Sequence, residues 1–143
     1  MKLLFIILAL AGTSFLSSYA ADVKTAPSVL ASFNSTFVHA TETTWEQVGN
    51  FHKANFVLDG EHRAAFYNGD GELIAETRNL SSAKLPVALQ ASLKKELAGL
   101  WISELFEISI EGANTYYVKL ESADKTVMLK SVGTKKWTLY NAN

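Results

Sequence analysis

Phe51-His52-Lys53-Ala54-Asn55-Phe56-Val57-Leu58-Asp59-Gly60-Glu61-His62-Arg63-Ala64-Ala65-Phe66-Tyr67-Asn68-Gly69-Asp70-Gly71 is the stretch that decides the fold. Ala54, Phe56 and Leu58 alternate with polar or smaller residues, which is the period of a half-buried strand. Asp59-Gly60 turns the chain, and Ala64 and Phe66 continue on a return strand. A three-residue loop, Asp59-Gly60-Glu61, would set Phe56 opposite Ala64 and Ala54 opposite Phe66. A two-residue loop would set Phe56 opposite Arg63. The apolar pattern therefore predicts the longer loop, with Gly60 free to take positive φ. Asn68-Gly69-Asp70-Gly71 is a second tight turn, and Leu73-Ile74-Ala75 starts the next strand. The centre of the chain is an antiparallel meander.

Helical stretches flank this meander. Upstream, Pro27 and Ser28 lead into a segment where Leu30, Phe33 and Phe37 recur at spacings of three and four, predicting an inward stripe. The β-branched cluster Thr41 to Thr44 ends it, with a strand expected from about Trp45. Downstream, Ser81 and Ser82 precede Pro86, which suits a first helical position. Leu85, Leu89, Leu93 and Leu97 then stack on one face until Gly99. Further strands are expected over 101–110, 116–120, 127–129 and 137–140, separated by turns at Glu111-Gly112, Ala123-Asp124 and Gly133. Pro86 follows Pro27 by 59 residues, Tyr117-Val118 follow Phe56-Val57 by 61, and Gly133 follows Gly71 by 62. The fold class is α+β: a duplicated helix-plus-meander unit, with approximate repeats 27–80 and 85–143 and the helices on one face of an antiparallel sheet.

The N-terminus reads as a leader. Lys2, the apolar run Leu3 to Leu10 and the small-x-small Ser18-Tyr19-Ala20 match a signal peptide cut after residue 20. Gly12, Thr13 and Ser14 interrupt the apolar run, which falls short of the roughly 20 residues a membrane span requires. Residues 21–143 then form one domain, periplasmic or secreted, with no stable membrane insertion after cleavage. Of the 13 basic residues the leader removes only Lys2, leaving 12 against 14 acidic ones. That balance gives nucleic acid no electrostatic footprint. With no cysteine, an exported domain relies on its apolar core alone.

Together these features resemble the secreted PepSY-like family, also described as β-lactamase-inhibitor-like, found mostly in Bacteroidetes. The resemblance is carried by Val29 to Phe37, Ala40 followed by Trp45, Phe51-x-x-Ala54-x-Phe56, the Asp59-Gly60 turn, Ala65 to Gly71, and Leu85-Pro86. The chain departs from the family at Phe37-Val38, where Tyr-Pro or Phe-Pro is common, and at Leu97-Ala98-Gly99-Leu100, where an aromatic-rich connection is usual. The resemblance implies a helix-backed antiparallel sheet without recognised catalytic residues.

The residues themselves offer no catalytic constellation. There is no cysteine and no Gly-x-Ser-x-Gly elbow. Ser92-Leu93-Lys94-Lys95 matches Ser-x-x-Lys, but it falls on an amphipathic helix with Leu93 inward. His39, His52 and His62 lack metal-ligand spacing, and no cofactor is expected. Aromatic residues carry the positive signal. Neighbouring Tyr116 and Tyr117 point to opposite faces, so one packs beneath the helices and the other stands on the open face. In the longer-loop register Tyr67 also belongs to the open face. These three are the candidate partner-binding residues of a non-catalytic domain that engages an unknown protein. The alternative is a small-ligand carrier or sensor with its pocket between sheet and helices.

Overall fold

The structure is a computed structural model, and it describes residues 24–134 and 136–140; the expected leader, 1–20, lies outside the described residues. The first helix, α1 (Pro27–Thr36), is followed by strands β1 (Thr41–Val48), β2 (Phe51–Leu58), β3 (Glu61–Tyr67) and β4 (Leu73–Asn79). A short 3-10 turn, Ser82–Lys84, leads to α2 (Val87–Leu97), then β5 (Trp101–Ile110), β6 (Ala113–Glu121), β7 (Thr126–Val132) and β8 (Thr138–Leu139). All eight strands form one sheet in sequential order, each antiparallel to its neighbours. This is an α+β fold in which both described helices cover the same sheet face. Neither helix among the described residues is long and apolar enough to cross a membrane.

In α1 Pro27 sits at the start, where its missing N–H costs nothing. The buried stripe is Val29, Phe33 and Phe37, four apart, whereas Leu30 is 38% exposed. The expected stripe was therefore one residue out at its first member. Phe33 meets Phe37, Trp45 and Phe56 at ring-centroid distances of 5.4, 5.2 and 5.1 Å. In α2 the leucine stack buries Leu89 and Leu93, with Leu85 just ahead of the helix. Pro86 is the N-cap residue rather than the first helical one, and Ala98 in the left-handed region closes the helix just before Gly99. Strand β1 begins at Thr41, earlier than Trp45, because an irregularity between Thr41 and Thr44 absorbs Glu42 at φ 54°.

The β2–β3 hairpin corrects the expected register. Leu58 pairs with Glu61, Phe56 with Arg63 and Ala54 with Ala65. The loop is thus the two residues Asp59 and Gly60, at φ 53° and 76°, the twist-matched turn that Asp-Gly favours. Glu111-Gly112 repeats it between β5 and β6, at φ 49° and 77°. Consequently Ala54, Phe56, Ala65 and Tyr67 lie under α1, while Ala64 and Phe66 lie on the other face. The apolar pattern misled because β3 is buried on both faces, from Ala64 through Tyr67.

Three apolar clusters result. One joins α1 to β2 and β3. A second joins α2 to β5, β6 and β7, where the buried Trp137 indole donates to the Leu89 carbonyl at 3.1 Å. The third lies on the helix-free face and draws Ala64, Phe66 and Ala75 from the strands after α1, and Phe106, Ile108, Tyr117 and Tyr140 from the chain after α2.

Candidate binding face

Side-chain alternation sorts the tyrosines. Tyr116 pairs across with Glu107 and Ser131 and belongs to the α2 cluster. Tyr117 pairs with Phe106 and Lys130 and belongs to the helix-free cluster. The opposition of these two neighbours is as expected from a strand. Tyr67 is a correction: it lies beneath α1, fully buried, its ring 6.5 Å from that of Phe33. The register shift accounts for this, since a slip of one residue sends every side chain to the opposite face. The expectation of exposure also fails for the pair, with Tyr116 at 7% and Tyr117 at 0%. Sequence reasoning missed Phe66 and Phe106, whose burial on the helix-free face is marked only by their pairing with Lys53 and Tyr117.

On that face Phe106 stacks on Tyr117 at 5.3 Å and 12°, and Tyr140 meets Tyr117 edge-on at 5.3 Å and 88°. The Tyr117 and Tyr140 hydroxyls are buried without a hydrogen-bond partner. Burial, with the charge of Tyr140 second, pushes the Tyr117 phenol up to about 12, and burial alone raises Tyr140. Both therefore stay protonated donors at neutral pH. Lysines border the rings: Lys53 Nζ lies 5.8 Å from the Phe66 centroid and Lys130 Nζ 5.3 Å from that of Tyr140. Ion pairs stand further out, Lys53–Glu46 at 2.6 Å on one side and Lys119 with Glu104 and Glu121, at 3.4 and 3.0 Å, on the other. The four rings inside this charged border are almost wholly buried, each 9% exposed or less.

The helix side has its own polar feature. Strand β4 presents Glu76 and Arg78 on that face, and neither belongs to the cluster under α1 or that under α2. Arg78 grips the buried Glu107 with Nε–Oε1 at 2.9 Å and Nη2–Oε2 at 3.3 Å. Arg63 donates to Glu76 and Glu61, both at 3.0 Å, and Lys84 also pairs with Glu61. Every charge in this seam has an opposite partner, so it ties strands together. His52 pairs with Tyr67 and His62 with Val57 across the hairpin, while His39 lies in an exposed turn. No group of histidines and carboxylates among the described residues is disposed to hold a metal.

No protein-family model matches this sequence. No curated protein matches it either. Solved structures do. A BLIP-like protein from Bacteroides fragilis superposes with a TM-score of 0.66 at 15% identity, over 80% of this chain and 82% of that one. A protein from Bacteroides eggerthii that carries a provisional periplasmic description gives 0.72 at 14% identity, over 78% and 85%. A DUF2874 family protein from Bacteroides ovatus gives 0.70 at 16% identity, over 80% and 88%. The helix-backed antiparallel sheet that the chain builds is the fold of these BLIP-like and DUF2874 proteins of Bacteroides.

Proposed function

We propose that this chain is a non-catalytic, exported binding domain that engages a protein partner through the helix-free face of its sheet. The observation that carries the reading is the cluster of Phe66, Phe106, Tyr117 and Tyr140 on a face that neither described helix covers. Antiparallel sheets keep one face for the core and leave the other to solvent or a partner, and here the rings, each 9% exposed or less, back a face whose charged border a partner would meet. Of the three tyrosines singled out from sequence, Tyr117 alone lies on that face, fully buried within the cluster, while Tyr67 and Tyr116 support the fold from the helix side. The BLIP-like description of the Bacteroides fragilis protein and the periplasmic description of the Bacteroides eggerthii protein support a binding role in the envelope. Residues 1–20 serve as the leader, and the mature chain begins at Ala21. A duplicated unit is supported by Val29 and Phe33 recurring 60 residues later as Leu89 and Leu93, which are equally buried.

Val132 and Val87 provide the test, because both are well exposed, at 59% and 80%, and neither supports the core. Val132 shares the helix-free face with Tyr117, through Thr115, whereas Val87 opens α2. A photo-crosslinking residue at Val132 is expected to capture an envelope protein that the same residue at Val87 does not. Capture from Val87 and not from Val132 would place the binding surface on the helices and overturn the reading.

A further inference from the structure

Among the described residues Trp101 is the one aromatic ring that stands in solvent, at 53% exposure, and it belongs to none of the three apolar clusters. It opens β5 directly across from Glu121. Glu121 follows Tyr117 by four along β6, so alternation puts both Glu121 and Trp101 on the helix-free face. They stand at its end, clear of the buried rings. Beside them is the Lys119 ammonium, shared by Glu121 at 3.0 Å and Glu104 at 3.4 Å. These three side chains still reach solvent, at 27%, 30% and 29% exposure for Glu121, Glu104 and Lys119. Two carboxylates on one ammonium leave an excess negative charge next to the indole. Asp124 and Lys125, in the turn beyond Glu121, offset each other. The excess holds Lys119 above its ordinary value, first through the hydrogen bond to Glu121 and next through the charge of Glu104.

An indole left in water adds nothing to the core, but its ring face attracts cations, and tryptophan does so better than tyrosine or phenylalanine. A guanidinium suits both features at once, because it is planar enough to stack on the ring while its N–H fork reaches a carboxylate. Resting on the proposed binding face, we infer that the partner lays an arginine side chain on the Trp101 indole and pairs it with Glu121. Glu104 keeps Lys119 when Glu121 turns to the arginine, so every charge is answered. An acidic side chain in the same place would meet two carboxylates, and an apolar one would cover the ring but leave the excess charge unpaired. Tryptophan and arginine are also the residues on which interface energy concentrates.

The test uses protein expressed from the whole chain, with the indole N–H groups of its three tryptophans isotope-labelled for NMR. It is titrated with the capped peptide Gly-Leu-Arg-Leu-Gly and with a twin carrying citrulline, which keeps the shape of arginine and lacks its charge. The arginine peptide is expected to shift the Trp101 signal and to leave that of Trp137, which is buried and donates to the Leu89 carbonyl. It should bind about tenfold more tightly than its twin, the joint effect of a cation on an indole and an exposed ion pair. Glu121→Gln should shrink that preference and Trp101→Leu should abolish the binding, with the melting temperature nearly unchanged in both because neither side chain is buried. Equal binding of the two peptides, or a preference that survives Trp101→Leu, would overturn the arginine inference. A Trp101 signal that moves with neither peptide would overturn it too. In each of these cases capture at Val132 still upholds the binding face, so the two readings fail separately.

Discussion

Gly71 shows how much a single position can fix. It closes the β3–β4 turn at φ 87°, and a Cβ built there would lie 2.7 Å from the Ser28 carbonyl oxygen and 2.8 Å from its carbon. Those are backbone atoms of the first turn of α1, which also donates from Ser28 Oγ to the Gly69 carbonyl at 3.3 Å. A methyl group would have to push the helix off the sheet, on top of the strain of positive φ. Gly71→Ala should cost about 1–3 kcal/mol of unfolding free energy, the range of strained backbone positions. Gly69→Ala, with nothing within 4 Å and an ordinary φ, should be close to neutral. Equal urea midpoints for the two variants would refute the close docking of α1 on this turn. The turn itself was legible in Asn68-Gly69-Asp70-Gly71, because Asn68 Oδ1 accepts from the Asp70 and Glu72 amides as such turns require. Which long-range neighbour forbids a side chain was not, since Ser28 is remote in sequence.

At the scale of elements, helices and strands were legible wherever one face alone is apolar. Leu89 and Leu93 point inward and Lys94 and Lys95 outward, as the leucine spacing requires. The β2–β3 register was misread because Ala64 and Phe66 on one face compete with Ala65 and Tyr67 on the other. The turn chemistry of Asp59-Gly60 decides the register where hydrophobic parity is ambiguous. The seam of Arg63, Glu76, Arg78 and Glu107 was equally hidden, since charged residues in a strand read as solvent-facing until their partners are known. Its chemistry gives a pH dependence. The carboxyl of Glu61 is held below its ordinary 4.5 first by its hydrogen bond to Lys84, against the opposing effect of burial, and then by the charge of Lys84 and by Arg63. Below 4.5 the unfolded chain takes up this proton before the folded one does. The stabilisation is therefore complete above 4.5 and is lost as the pH falls through the folded value. Glu61→Gln should be less stable than the parent at neutral pH, with the gap closing in urea melts below 4.5. A gap that stays constant from neutral to acidic pH would show that Glu61 contributes shape and not charge.

Across the whole molecule, the two helix-side cores are local and the helix-free cluster is shared. The α1 core uses only residues up to Tyr67, and the α2 core is built from Leu85 onward with Leu80 at its margin. What joins the halves is a short β4–β5 ladder of four residue pairs, Glu76 to Asn79 against Phe106 to Ser109, the Arg78–Glu107 pair above it, and the cluster below. Phe106 and Ile108 meet Phe66 and Ala75 in that cluster, so one set of side chains both forms the proposed binding face and couples the halves. Truncations should then differ in reach as well as in size. Phe33→Ala and Leu93→Ala each remove a core side chain, at about 2–5 kcal/mol. In native-state hydrogen exchange Phe33→Ala should loosen β1 to β3 first, and Leu93→Ala β5 to β7. Phe106→Ala should loosen β3 and β4 together with β5 and β6, because its contacts lie across the joint. Local openings of this kind report the cooperative units of a fold directly. If Leu93→Ala were to speed exchange equally in all eight strands, the halves would be a single cooperative unit.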